Sequence, residues 1–292
     1  MLSQLRELDI GAHKALELYL AATGLKVTRT MMDDAELALV LPILLGCGVE
    51  ILLSKEKFLL GSDAGKGGYG NTFGAEVSTD HPQGYFCVYI GRDLTELSEA
   101  RDADETGDDD KFGALLGIPE CCRSHFSSQK ERFSSEQNDP TQYIKQEGEV
   151  VPWCSHFPMY FGYGLFSHFP CSEGCAATKK LAMRNEKLLR DVCPELANTF
   201  VRYQFLNYLY TEYDGVFAFD DITPCPESTT PAWAYDNKRL EATSSALLSD
   251  IIFSCDSISL AGGEIAFRRD GMVRLLADAS NFRLAFHNES RL

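Results

Sequence analysis

The sequence predicts an α+β protein, with a small N-terminal α/β domain followed by a larger mixed helix and sheet domain organised around a cysteine site. Three observations carry this prediction: helical periodicity ahead of Gly24, apolar runs of strand length bounded by glycine, aspartate and proline, and a crowding of cysteines between residues 121 and 175. Residues 9–23 put Ile10, Leu16, Leu18, Tyr19 and Leu20 roughly on one helical face and stop at Gly24, so the first element is a helix. Residues 25–30 alternate like a strand, 36–45 form a short apolar helix, 49–53 and 57–61 read as the arms of a hairpin, and 85–90 as a further strand. Together they make up the first domain, 1–96.

Residues 97–111 are dense in acids with little to bury, which predicts a linker. The cysteine-site domain, 112–292, follows. Its helices are expected over 175–189 and 194–210, and its strands over 215–220, 251–260, 264–268 and 272–276, the last two joined by an Asp270-Gly271 hairpin turn.

With 292 residues, 45% of them hydrophobic, the chain can bury a substantial core. Lys and Arg number 27 against 43 Asp and Glu, a formal charge of −16 that repels phosphate backbones and anionic membrane surfaces. Neither nucleic acid nor a membrane is therefore an expected partner, whereas a basic protein partner is compatible. Arg6, Glu7 and Asp9 interrupt the apolar core that a secretory leader needs, and no stretch offers 18 uncharged apolar residues, so a cytoplasmic protein is expected. Ten cysteines are too sparse for a disulfide scaffold, and clustered thiols in a reducing compartment point to metal or redox chemistry.

Cys121 and Cys122 follow Leu116-Gly-Ile-Pro-Glu, and Cys171 and Cys175 follow Ser167-His-Phe-Pro. Pro119 and Pro170 suit first helical positions, so Cys171 and Cys175, like Cys121 and His125, are expected to share helix faces at i and i+4. Helix N-termini also favour thiolate. The spacing differs from a pair of Cys-x-x-Cys motifs, and adjacent cysteines are awkward for one small tetrahedral ion. Neighbouring thiolates could each take a separate iron of a 4Fe-4S iron-sulfur cluster. The alternative is zinc held by three cysteines and His125 or His168, with Cys154 or Cys225 as spare ligands; a metal-free thiol site is the third reading. Cys47, Cys87, Cys193 and Cys255 sit in apolar contexts and are expected in the core.

The paired elements Leu-Gly-Ile-Pro-Glu-Cys-Cys-x-x-x-Phe and His-Phe-Pro-Cys-Ser-x-x-Cys resemble the signature of a bacterial and archaeal domain-of-unknown-function family, Gly-Tyr-Pro-x-Cys-Cys followed by His-x-Pro-Cys-Ser-x-x-Cys. The likeness spans roughly residues 113–185, with Ile118 where tyrosine is common. It implies a shared cysteine site and nothing about substrate.

His168 is the candidate catalytic group, able to move a proton beside a metal; His156 is a weaker one. The rings of Trp153, Phe157, Tyr160, Phe161 and Tyr163 are candidates to line a pocket. Asp220 and Asp221 end an apolar strand, where paired acids hold a cation or form a turn. Residues 65–70 superficially resemble a phosphate loop without its full spacing, and Arg123, Arg184 and Arg190 are candidates for binding a substrate carboxylate. The leading expectation is an iron-sulfur enzyme acting on a small molecule or peptide. A non-catalytic interaction protein stapled by metal, or a thiol redox or sulfur-carrying protein, are the alternatives.

Overall fold

The computed structural model describes residues 1–8, 10–61, 73–135, 140–146, 150–243 and 247–286, and their architecture is α+β, as the sequence predicts. Helices α1 (Leu2–Glu7) and α2 (Ala12–Ala22) lead into strand β1 (Thr28–Met32) and helix α3 (Asp34–Gly46). Asp33 caps α3 by accepting the Glu36 N–H at 2.8 Å. Strands β2 (Glu50–Leu60), β3 (Phe73–Val77) and β4 (Tyr85–Gly91) complete an antiparallel sheet of order β1-β4-β2-β3.

The hairpin expected at 49–61 is instead the single strand β2. Ser54, Lys55 and Glu56 supply none of the glycine or Asn-Gly chemistry that a tight turn needs. The register slips between Leu53 and Lys57, and Ser54 Oγ stitches the irregularity by accepting the Cys87 N–H at 3.1 Å.

The acidic stretch expected as a linker is also different. It folds as helices α4 (Leu94–Thr106) and α5 (Asp109–Leu115), with Leu97 and Ala100 fully buried and Ala103 nearly so. Three apolar side chains at i, i+3 and i+6 keep one stripe facing inward while the acids between them stay in water. Asp93 and Asp108 cap the two helices. One apolar core runs across both sides of this segment, joining Leu16, Val40 and Ile90 to Leu189, Ala197 and Phe200.

Helix α6 (Glu120–Ser135) is followed, after a run of short turns, by α7 (Ala176–Val192) and α8 (Pro194–Gln204). The second helix ends earlier than expected, because Asn207–Thr211 forms strand β5, buried at every residue. A short apolar run buried on both faces has no period by which strand and helix can be told apart. Strands β6 (Gly215–Phe219), β7 (Ile222–Pro224), β8 (Ala232–Tyr235) and β9 (Leu240–Ala242) follow. The strand expected over 251–260 divides into helix α9 (Leu247–Ser254) and strand β10 (Ser257–Ala261), and β11 (Glu264–Arg269), β12 (Met272–Asp278) and β13 (Phe282–Ala285) close the chain.

These strands make two more antiparallel sheets, β12-β11-β10-β8-β7 and β13-β5-β6-β9, with Leu209, Phe217, Ile258 and Phe267 in the core between them. The β11–β12 turn forms as expected: Asp270 and Gly271 both take positive φ, 51° and 76°, as a two-residue hairpin demands. No helix among the described residues is long and apolar enough to cross a membrane.

Candidate metal centre

The residues that carry Cys121 and Cys122 are aimed by a helix-end motif legible in the sequence Leu-Gly-Ile-Pro. Gly117, at φ 74°, ends α5: its N–H donates to Ala114 O at 3.0 Å and the Ile118 N–H to Gly113 O at 2.9 Å. Pro119 then starts the next turn, accepting from the Cys122 and Arg123 N–H groups at 2.9 and 3.0 Å. Both cysteines therefore sit in the first turn of α6, Cys122 buried and Cys121 exposed.

Cys171 and Cys175 do not share a helix face as expected. Cys171 lies in the turn before α7, and Cys175 is the N-cap of that helix, its sulfur accepting the Thr178 N–H at 3.5 Å. The proline before Cys171 starts no helix, because residues 171–175 are held by other strands of chain. Lys145 bridges to this turn, donating to Cys171 O and accepting from the Glu173 N–H. Glu173 is itself held by Arg283 of β13 at 2.7 Å, and Arg283 also donates to Ile144 O at 3.0 Å and to Thr141 O.

The four sulfurs converge. Cys121, Cys122, Cys171 and Cys175 each offer an Sγ, all within 4.8 Å of one another. Three of them form a nearly equilateral triangle, 3.7 Å from Cys121 to Cys175, 3.7 Å from Cys122 to Cys175 and 3.9 Å from Cys121 to Cys122. Adjacent cysteines thus do meet on one site, which removes the objection raised by their spacing. The group can hold a metal ion or cluster.

The electrostatics favour one thiolate before any cation arrives. The Cys175 thiol is pulled well below the ordinary thiol range by the hydrogen bond from Cys122, against the opposing effect of burial, and by the Thr178 hydroxyl and N–H. Its position at the start of a 17-residue helix acts in the same direction. The same hydrogen bond and burial raise Cys122, and burial followed by contact with Cys175 pushes Cys171 up to about 11.

No family model, curated protein or solved structure matches this chain. The reading of the centre rests on its own geometry.

The other expected site residues divide clearly. Thr178 stands between His168 and the sulfurs, with its Oγ1 2.9 Å from His168 Nε2 and 3.4 Å from Cys122 Sγ. His168 is thus one hydroxyl removed from the cysteines, and burial lowers its pKa to about 4, leaving a neutral imidazole at pH 7. His125 lies on α6 but its Nε2 bonds to Tyr143 O at 2.8 Å. Cys154 is buried beside the centre and donates to Cys175 O at 3.1 Å; burial pushes its thiol up to about 12.

His156 is buried among the rings of Phe157, Tyr160 and Phe169, which drives its pKa well below the ordinary value. The aromatic run packs as core, against the expectation of a pocket lining. Tyr163 stacks on Tyr203 at 4.3 Å, Phe157 on Tyr208 at 5.4 Å, and Trp153 meets Phe205 edge-on at 5.3 Å. Asp220 and Asp221 pair with Arg239 at 2.6 and 3.5 Å, Arg123 with Asp110 at 2.9 Å, and Arg190 with Glu186 at 2.5 Å. Arg184 bonds to Asn185 Oδ1 at 3.1 Å. Cys87 and Cys255 are buried as expected, and Cys47, Cys193 and Cys225 partly so. The glycine-rich residues 65–70 lie outside the described residues.

Sequence reasoning missed Thr178, Glu173 and Arg283. Thr178 had a readable signal, a hydroxyl three residues after Cys175, where a helix N-cap meets its partner. Arg283 had none, since only the fold brings it to the cysteine turn.

Proposed function

We propose that this is a metal-binding protein whose Cys121, Cys122, Cys171 and Cys175 thiolates hold one tetrahedral ion, with zinc as the first candidate. The observation that carries this reading is the sulfur triangle of 3.7, 3.7 and 3.9 Å. Metal–sulfur bonds of about 2.3 Å in a tetrahedron set ligand sulfurs about 3.8 Å apart. A four-iron cluster gives each thiolate its own corner, so the iron–iron edge spreads the sulfurs beyond that distance. The close spacing therefore supports one ion over the cluster that the adjacent cysteines suggest from sequence.

In this reading the ion is chiefly a staple, closing the start of α6 onto the turn before α7, and four thiolates leave no open coordination position. A catalytic reading draws on one observation, the exposure of Cys121. As the ligand nearest water, Cys121 is the one that could give way to a substrate, with His168 behind Thr178 as a neutral hydrogen-bonding group.

The test is zinc, iron and acid-labile sulfide content, with a visible spectrum, on protein purified without oxygen. The expected result is a colourless protein with one zinc per chain and no sulfide. Iron and sulfide in equal amounts would overturn the single-ion reading and restore the cluster. C122S and C175S should lose the metal, while C47S keeps it. Removal of zinc by a chelator should lower the thermal midpoint if the ion is a staple. C121S that keeps its metal on three thiolates would favour the catalytic reading.

A further inference from the structure

Strand β12 forms one end of the sheet β12-β11-β10-β8-β7, and among the described residues no strand pairs with its outer edge. One bond shows which way its backbone groups point. Gly263 O accepts the Ala279 N–H at 2.9 Å, which makes 263–279, and by alternation 265–277 and 267–275, the hydrogen-bonded pairs of β11 and β12. The N–H and C=O groups of Leu276 and Asp278 therefore turn away from β11, toward the open edge. An edge of this kind is a template for another strand.

The side chains leave that edge open. Met272, Val273 and Leu276 are 58%, 47% and 53% exposed, a concentration of apolar surface along one strand. Leu275 and Ala277 pack into the core between the sheets, which places Leu276 on the opposite, outer face. Charge is divided along the same edge. Arg274, exposed and without a hydrogen bond or ion pair among the described residues, lies two residues before Leu276. Asp278, also exposed and accepting the Ser280 N–H at 2.9 Å, lies two residues after it and directly across from the exposed Glu264. Charges on an edge strand commonly discourage pairing, but these two have opposite signs and stand at equal separations from Leu276.

We propose that β12 pairs antiparallel with β12 of a second copy of this chain, about a twofold axis through Leu276. In that register Leu276 meets its own counterpart, and Arg274 of each copy falls opposite Asp278 of the other. No other antiparallel register sets these opposite charges across from one another. The outward N–H and C=O of Leu276 exchange two hydrogen bonds across the axis, as pairing centred on a hydrogen-bonded position requires. A second copy is the occupant this edge fits, because an arginine and an aspartate placed symmetrically about Leu276 are complemented by the same strand read in reverse. One seven-residue strand is short for the standard interface of about 800 Å² a side, so the dimer is expected to be weak. The inference goes beyond the metal-binding reading and does not rest on it.

The experiment is sedimentation equilibrium of the metal-loaded full chain from about 1 to about 300 µM, the span of a micromolar dimer, with amide hydrogen exchange at both ends of that range. A reversible monomer–dimer equilibrium is expected, with exchange over residues 272–278 slowing as the dimer forms. L276K sets like charges together on the axis and R274D sets an acid against an acid. Each should weaken the dimer about tenfold or more, and R274D/D278R should restore it. All three positions are exposed, so the fold of each chain tolerates the changes. A chain that stays monomeric throughout would overturn the proposal, as would a dimer that L276K and R274D leave intact. An R274D/D278R protein that recovers none of the loss would overturn the pairing of the two positions, and with it the axis through Leu276.

Discussion

Glu173, placed between two of the clustered cysteines, is paired at 2.7 Å with Arg283 from the last strand, and the two side chains are 14% and 7% exposed. The pair fixes the turn that delivers Cys171 and Cys175, because Arg283 also donates to the carbonyls of Thr141 and Ile144. Removing one partner leaves the other charge buried. R283M should cost about 3–5 kcal/mol in urea unfolding, and adding E173Q should recover part of the loss. A loss below about 1 kcal/mol would place the pair among exposed ones of little weight.

Thr178 connects His168 to Cys122 through one hydroxyl. T178V keeps the shape and the backbone N–H that Cys175 caps, but strips the buried His168 Nε2 of the Thr178 hydroxyl. The expected outcome is full metal content with a stability loss of about 1–3 kcal/mol, restored by T178S. Unchanged unfolding of T178V would show that the hydroxyl does not matter.

His156 is neutral in the folded protein, because burial first, then Arg283 and His168, depress its pKa well below 6.5. In the unfolded chain the imidazole takes a proton as pH falls through about 6.5. The unfolded state then binds more protons than the folded one, so stability is lost on acidification, with a slope of up to about 1.4 kcal/mol per pH unit from this group. The stability of H156Q, measured from pH 5 to 8, should fall less steeply with acid; parallel curves for the two proteins would exclude the contribution.

Leu97 decides the character of the acidic stretch. As a fully buried side chain of α4, packed with Val27, Cys87 and Ala100, it should cost about 2–5 kcal/mol when cut to alanine. An open linker would tolerate L97A without any change in the urea midpoint.

Several elements were open to reading from local chemistry. The helix ending at Gly24, the helix before Cys47, the strand at 85–91 and the Asp270-Gly271 hairpin each carry a complete period or turn signal within a few residues. The errors share one cause. The segments 207–211 and 247–254 are short and apolar, so burial by neighbours decided strand or helix. The acids of α4 concealed a narrow apolar stripe whose weight depends on the sheet it covers.

By itself the sequence determined the α+β class and the identity of the four cysteines, because proline, glycine and adjacent thiols are local signals that survive without knowledge of the fold. Only tertiary structure decided that the four sulfurs approach to within 4.8 Å, that Cys175 is a cap, and that Thr178 and Arg283 belong to the centre. Those are relations between residues as many as 142 positions apart, and they are set by packing of α6, α7 and β13, which no local spacing encodes.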